Sequence, residues 1–364
     1  MQLLIDVVGT CNLKCPSCPV GNSPEVKNTK GVMSPEKLRA ILVKAMNECT
    51  VDSVALYNWT DPLINPRLPE LILTVKKLGL PCVISSNLNL LKNEDELMMA
   101  NPDLIRVSMS GYTQENYGVG HRGGEVSKVL ENIERLVAAR VRTGSNTKID
   151  IFYHRYLGNL DDEFKLRELA TRLGIIFETC WAFLMPLEKV LAFAYNDSRF
   201  SPMNEEDREV IKRLALPFDE ALAIAERHRD QPCSLLENQI VIDVEGDVVL
   251  CCAVYEQSKY KIGNFLERPL AAITEDKHQL EQCKNMCSAC TKKGIHVYFT
   301  YDSPEFDRVA AQNVLQHYAG AFVVKVKPYT ILHKFLTKKA PFTLKIARNI
   351  RKYIRKIYPP KTTI

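Results

Sequence analysis

From Arg308 to Ile364 the sequence contains no acidic residue, although thirteen Lys and Arg fall there. The preceding chain therefore carries 35 basic and 43 acidic residues, and a net charge of +5 conceals an acidic body with a basic tail. No uninterrupted apolar run approaches the roughly 18 residues of a spanning helix. The opening MQLLIDVV has neither a basic flank nor a small-residue cleavage site, so it reads as a strand rather than a signal peptide. These absences point to the cytosol, where thiols stay reduced, and the twelve cysteines then need a purpose other than disulfides. Histidine is missing before His121, which removes it as a local metal ligand for the first third of the chain.

The cysteines are grouped. Cys11, Cys15 and Cys18 form an opening triplet, and Cys233, Cys251, Cys252, Cys283, Cys287 and Cys290 a second set, while Cys49, Cys82 and Cys180 stand alone. Clustered cytosolic cysteines favour metal ligation, whereas isolated ones behave as small core hydrophobes.

Hydrophobic periodicity gives six strand-like runs, LLIDVV, SVALYN, PCVISSN, LIRVSMS, KIDIFYH and IIFETCW, separated by helical patterns. SPEKLRAILVKAMNE starts with Ser34 as N-cap and Pro35 at the first helical position. Gly79 and Gly174 stop two others. Alternation of this kind implies parallel strands with helices outside. The expected fold is α/β: a partial (β/α)6 TIM-like barrel at 1–185, a charged helical connector at 186–232, a small α+β auxiliary domain at 233–300 and a basic helical extension at 301–364. QIVIDVEGDVVLCC reads as a hairpin turning at Gly246.

Active sites of such barrels lie at the C-terminal ends of strands, where the opening triplet falls. A structural zinc site takes four N or S ligands, and here there are three, the next thiol being Cys49. Three thiolates on a four-iron cluster leave one iron open for chemistry.

CxxxCxxC directly after the first strand of a βα barrel resembles the radical S-adenosylmethionine (radical SAM) superfamily. The resemblance implies that Cys11, Cys15 and Cys18 hold a [4Fe-4S] cluster whose open iron chelates SAM, and that reduction by a flavodoxin or ferredoxin yields a 5′-deoxyadenosyl radical. NWTDP stands where the family has a GGEP-like stretch, with Trp59 and Thr60 in place of glycines and Asp61 near the SAM amino group. Ser85 and Asn87 after strand three, Ser108 and Ser110 after strand four, and His154 or Arg155 on strand five resemble the polar strand ends that contact SAM. Ser17 replaces a frequent aromatic residue.

The second cysteine set, with Cys233, twelve residues, Gly246, four residues and Cys251, then CKNMCSAC, resembles the SPASM and twitch extensions that carry auxiliary clusters. The single-cluster arrangement implies Cys233, Cys251, Cys287 and Cys290 as ligands, with Cys283 as a substitute. A zinc ribbon is the alternative for these residues.

Three functions follow as expectations: oxidation or epimerisation of a small or lipid-linked polar molecule such as a sugar or aminocyclitol; maturation of a ribosomal peptide; or a non-catalytic iron-sulfur or zinc scaffold. Cys180 and Cys252 are candidate hydrogen donors, whose use would make an epimerase rather than a dehydrogenase. LKIARNIRKYIRKIY sets Ile and Tyr on one helical face and Lys and Arg on the other. Such a helix suits peripheral contact with the inner face of a membrane or docking on the acidic body. Nucleic acid is disfavoured, because no aromatic stacking platform accompanies the charge.

Overall fold

The computed structural model describes residues 1–28, 30–197, 200, 203–300 and 303–326. The six expected runs are β1 (Gln2–Ile5), β2 (Ser53–Ala55), β3 (Cys82–Ser86), β4 (Leu104–Met109), β5 (Lys148–Arg155) and β6 (Ile176–Trp181). All pair in parallel in chain order, with helices between them. β6 does not return to β1, so the barrel is open.

Local chemistry sets the helix limits. The Ser34 hydroxyl accepts the Lys37 N–H at 3.2 Å and caps the helix Pro35–Glu48, whose Leu38, Ile41, Leu42 and Ala45 are buried. Gly174 adopts φ 61° and ends the helix Leu160–Leu173 in a left-handed cap.

Alternation along the strands separates two faces. On β4, Ile105, Val107 and Met109 are fully buried, while Arg106 and Ser108 face inward with Ser85, Phe152 and Glu178. Arg106 donates to Asp150 and Glu178, joining β4, β5 and β6 across that interior. On the opposite face of β5, Tyr153 donates to the carbonyl of Asn159, and Arg155 pairs with Glu163 of the covering helix.

The strands of the auxiliary segment continue the sheet of the barrel. β7 (Gln239–Ile242) pairs in parallel with β1, from Gln2↔Gln239 to Ile5↔Ile242. β8 (Asp247–Val249) and β9 (Lys261–Asn264) extend the sheet to nine strands. The reason is an edge: an unpaired β1 would expose backbone donors and acceptors, and β7 offers the buried run Ile240, Val241 and Ile242 to cover them. The hairpin turns at Gly246, φ 88°. Residues 1–314 consequently form one compact unit. The connector is helical, at Leu187–Tyr195, Glu205–Arg213 and Phe218–Arg227, and helices Leu270–Gln279, Glu281–Lys292 and Ile295–Thr300 complete the auxiliary part.

A second unit spans Leu315–Ile364. The basic amphipathic pattern at 344–358 lies outside the described residues. Among the described residues no helix is long and apolar enough to cross a membrane.

Candidate active site

β1 delivers the chain into a loop carrying Cys11, Cys15 and Cys18. Cys18 N–H donates to the Cys15 carbonyl at 3.1 Å, and Cys18 itself precedes the short helical turn Pro19–Asn22. The loop folds back so tightly that a Cβ on Gly21 would lie 2.3 Å from the Cys15 carbonyl oxygen. Two cations that sequence reasoning passed over clamp it. Arg122 donates to the carbonyls of Lys14 (2.8 Å) and Gly21 (3.3 Å) and pairs with Glu206. Lys189, 1% exposed, donates to the Asn22 carbonyl at 2.7 Å and to Asp207 at 2.5 Å. Both lie in unremarkable helical or loop stretches, and nothing in their spacing marked them.

Burial pushes the Cys11 thiol up to about 11 and the Cys18 thiol up to about 12, while burial and then the neighbouring Cys18 and Cys11 hold Cys15 well above its ordinary value. Desolvated thiols so close together become thiolates when a positively charged metal core takes them as ligands, which is the fit an iron-sulfur cluster requires.

Around the loop the strand ends divide into those that face it and those that do not. The buried carboxylate of Asp6 accepts the N–H groups of Asn58, Trp59 and Thr60 and the Thr60 hydroxyl, and so shapes the loop after β2. Asp61 accepts from the Leu63 N–H, the Ser86 hydroxyl and the Asn87 N–H, and burial raises its pKa to about 6. Through these bonds Asp61 holds the backbone of Asn87 in place. Asn87 in turn points its amide at Asn12 Oδ1 (2.8 Å) and Cys11 Sγ (3.8 Å). Ser85 and Ser108 stand 3.4 Å apart on the interior face.

Ser110 and Arg155 depart from expectation. Ser110 is fully buried, 2.6 Å from His121 Nδ1 and 3.2 Å from the Tyr117 carbonyl, beneath the helix Gln114–Gly120. Arg155 lies on the helix side of β5, with Glu163 at 2.7 Å and its guanidinium over Trp181. Strand alternation instead turns His154 inward, where burial depresses it to about 4 and its Nε2 has no hydrogen-bond partner. Cys180 is opposite His154 in the β5–β6 register, and burial pushes its thiol up to about 12.

In the auxiliary part, Cys233, Cys251, Cys287 and Cys290 line one small cavity with apolar walls that include Leu187, Leu236, Leu250 and Phe299. Cys252 and Cys283 are not in its lining. Cys283 is fully buried beside Asp276 and Lys277, one helical turn before Cys287. Burial and then the neighbouring Cys233 push the Cys252 thiol up to about 12. Among the described residues no three Cys, His, Asp or Glu side chains gather tightly enough for one metal ion. A four-iron core takes its thiolates from around a larger body.

The radical SAM superfamily model matches residues 5–162. An iron-sulfur cluster-binding domain, SPASM, matches residues 233–292. The chain belongs to the radical SAM superfamily. As a radical SAM enzyme with a SPASM domain it uses SAM, a [4Fe-4S] cluster and an auxiliary cluster. The chain is 22% identical over 280 residues to a PqqA peptide cyclase of Streptomyces rochei, covering 74% of each chain. Among solved structures, SuiB of Streptococcus suis bound to S-adenosylmethionine shares the fold at TM-score 0.53 and 13% identity, over 79% of this chain and 67% of SuiB. SuiB bound to its precursor peptide SuiA gives 0.51 at 13% identity, over 75% of this chain and 64% of SuiB.

Proposed function

We propose that this radical SAM enzyme modifies a peptide, abstracting a hydrogen atom from one residue and resolving the resulting radical oxidatively as a crosslink or an unsaturation. The observation that carries this reading is the relation to a peptide cyclase, whose 280 aligned residues include part of both matched domains. It takes precedence over the sugar or aminocyclitol reading, which no comparable relation supports.

When bound, SAM on its cluster supplies the hydrogen-abstracting carbon radical, and the auxiliary cluster supplies a one-electron acceptor. Cys11, Cys15 and Cys18 would hold the first, and Cys233, Cys251, Cys287 and Cys290 the second. Ser85, Asn87, Ser108 and His154 would bind the polar groups of SAM, with Asp61 orienting Asn87. A cavity of about 350 Å³ opens between the cysteine loop, the loop after β2 and Tyr255 of the auxiliary part. Its lining includes Lys14, Lys27 and Lys30, all exposed, while its acid Asp6 is committed to backbone N–H groups. That charge suits a peptide carrying carboxylates.

Anaerobic turnover with SAM, dithionite and a panel of synthetic peptides, compared with nucleotide sugars and aminocyclitols, tests the proposal. One 5′-deoxyadenosine should form per peptide that has lost two hydrogens. Turnover of nucleotide sugars or aminocyclitols with every peptide inert would overturn it.

A further inference from the structure

Beside the large cavity lies a second one of about 220 Å³, and the two share Val26 and Tyr255 as a common wall. On both stretches the neighbours part company: Lys27 and Gln257 line the large cavity, Glu25 and Glu256 the second. The charge changes sign across that wall. Glu25, Glu188 and Glu256 line the second cavity, and among the described residues its one basic side chain is Lys259, 3.6 Å from Glu256. Glu188, on the helix Leu187–Tyr195, is 4% exposed. Its Oε1 accepts the N–H groups of Tyr255 (2.9 Å) and Glu256 (3.1 Å), which fixes the carboxyl against the cavity wall. Its Oε2 is buried and has no hydrogen-bond partner. Native structures rarely leave such an oxygen unpaired unless a ligand or water supplies the donor.

We propose that this second cavity receives a cationic side chain of the peptide substrate, a lysine or an arginine, with Glu188 as its counter-charge. An ammonium or guanidinium supplies the donor that Oε2 lacks and the positive charge that three carboxylates against one lysine leave unbalanced. Tyr255 and Tyr260, also in the lining, offer aromatic surface to its alkyl stem and to the cation itself. Burial raises the Glu188 carboxyl above its ordinary range, and a bound cation offsets that burial by its opposite charge. Together the two cavities select a peptide with an acidic and a basic residue close to one another. The inference rests on the peptide-modifying reading above and adds to it the class of side chain recognised.

The test is anaerobic calorimetry on the full-length reconstituted protein with SAM, using pairs of synthetic acidic peptides that differ only in carrying Lys or its neutral analogue norleucine at one position. The parent should bind the Lys peptide about tenfold more tightly, the ratio expected of a charge-assisted hydrogen bond. Glu188→Gln keeps an acceptor for the Tyr255 and Glu256 N–H groups and should bring that ratio close to one. Glu25→Lys alters an exposed position and should lower the ratio in the same direction, which keeps the proposal testable if Glu188→Gln misfolds. Equal affinity for the two peptides in the parent, or a ratio that the folded variants retain, overturns the proposal. Butylamine binding as tightly as the Lys peptide would make this a site for a free amine and overturn it as well. Turnover is read separately: Glu188-dependent binding of the Lys peptide with no peptide turned over would count against the peptide-modifying reading and leave the cavity's preference for a cation standing.

Discussion

Tyr156 Oη and Ser17 Oγ stand 2.9 Å apart, joining the residue after β5 to the cysteine loop. Tyr156 is 6% exposed, and a Cβ on Gly120 would lie 3.3 Å from its ring, so the phenol is held rigidly against the loop. The small polar residue at position 17 is thus matched by an aromatic residue arriving from a strand end. A hydrogen bond of this kind contributes about 1 kcal/mol. Tyr156→Phe should leave the fold and iron content intact and weaken SAM binding a few-fold, read by equilibrium binding to the reconstituted protein. An affinity equal to the parent's would show that the tie does not order the site.

Gly21 should tolerate no side chain. The Cys15 carbonyl oxygen it would strike is backbone, as is the Lys14 carbonyl carbon at 2.5 Å, so neither can rotate away. Gly21→Ala should remove the SAM-binding cluster and keep the auxiliary one, leaving about four of about eight irons. Retention of both clusters would mean that the loop shifts without penalty.

Asp61 makes stability depend on pH. An unfolded chain releases its proton near 3.8, whereas the native chain holds it to about 6. The folded state therefore binds more protons in that window, and its stability falls as pH rises through it, by about 3 kcal/mol from this group. Asp6 and Asp243 are raised as well, so the useful quantity is a difference. The drop in stability between pH 4 and 6 should be smaller in Asp61→Asn than in the parent, measured by urea unfolding. Parallel curves would contradict it.

Cys180 separates oxidation from epimerisation. It lies on β6 opposite the inward-facing His154, at the end of the barrel where substrate would sit. Under the oxidative reading, turnover in deuterated water should give peptide lacking two hydrogens and carrying no solvent deuterium, with Cys180→Ala nearly as productive as the parent. One deuterium gained at an inverted carbon, with product lost in Cys180→Ala, would establish an epimerase.

Lys27 and Lys30 line the large cavity from exposed positions. Reversing both to Glu should raise KM for an acidic peptide about five- to tenfold with kcat little changed, and added salt should narrow the gap, as for solvent-screened charges. An unchanged KM would place peptide binding elsewhere.

The sequence by itself determined the six strands, the helices between them, the hairpin at Gly246 and the two cysteine sets. Each of these rests on short-range chemistry: apolar alternation, a cap, a turn glycine, thiols at fixed spacing. Tertiary structure alone decided which face of a strand a polar residue occupies, because a one-residue ambiguity at a strand end exchanges interior for exterior. That sent His154 inward and Arg155 to Glu163, and it buried Ser110 under His121. It also decided the long-range partners. The pairing of β7 with β1 and the clamps by Arg122 and Lys189 join residues far apart in the chain. Such contacts carry no periodic signal, since their energies depend on burial and charge that exist only once the sheet has assembled.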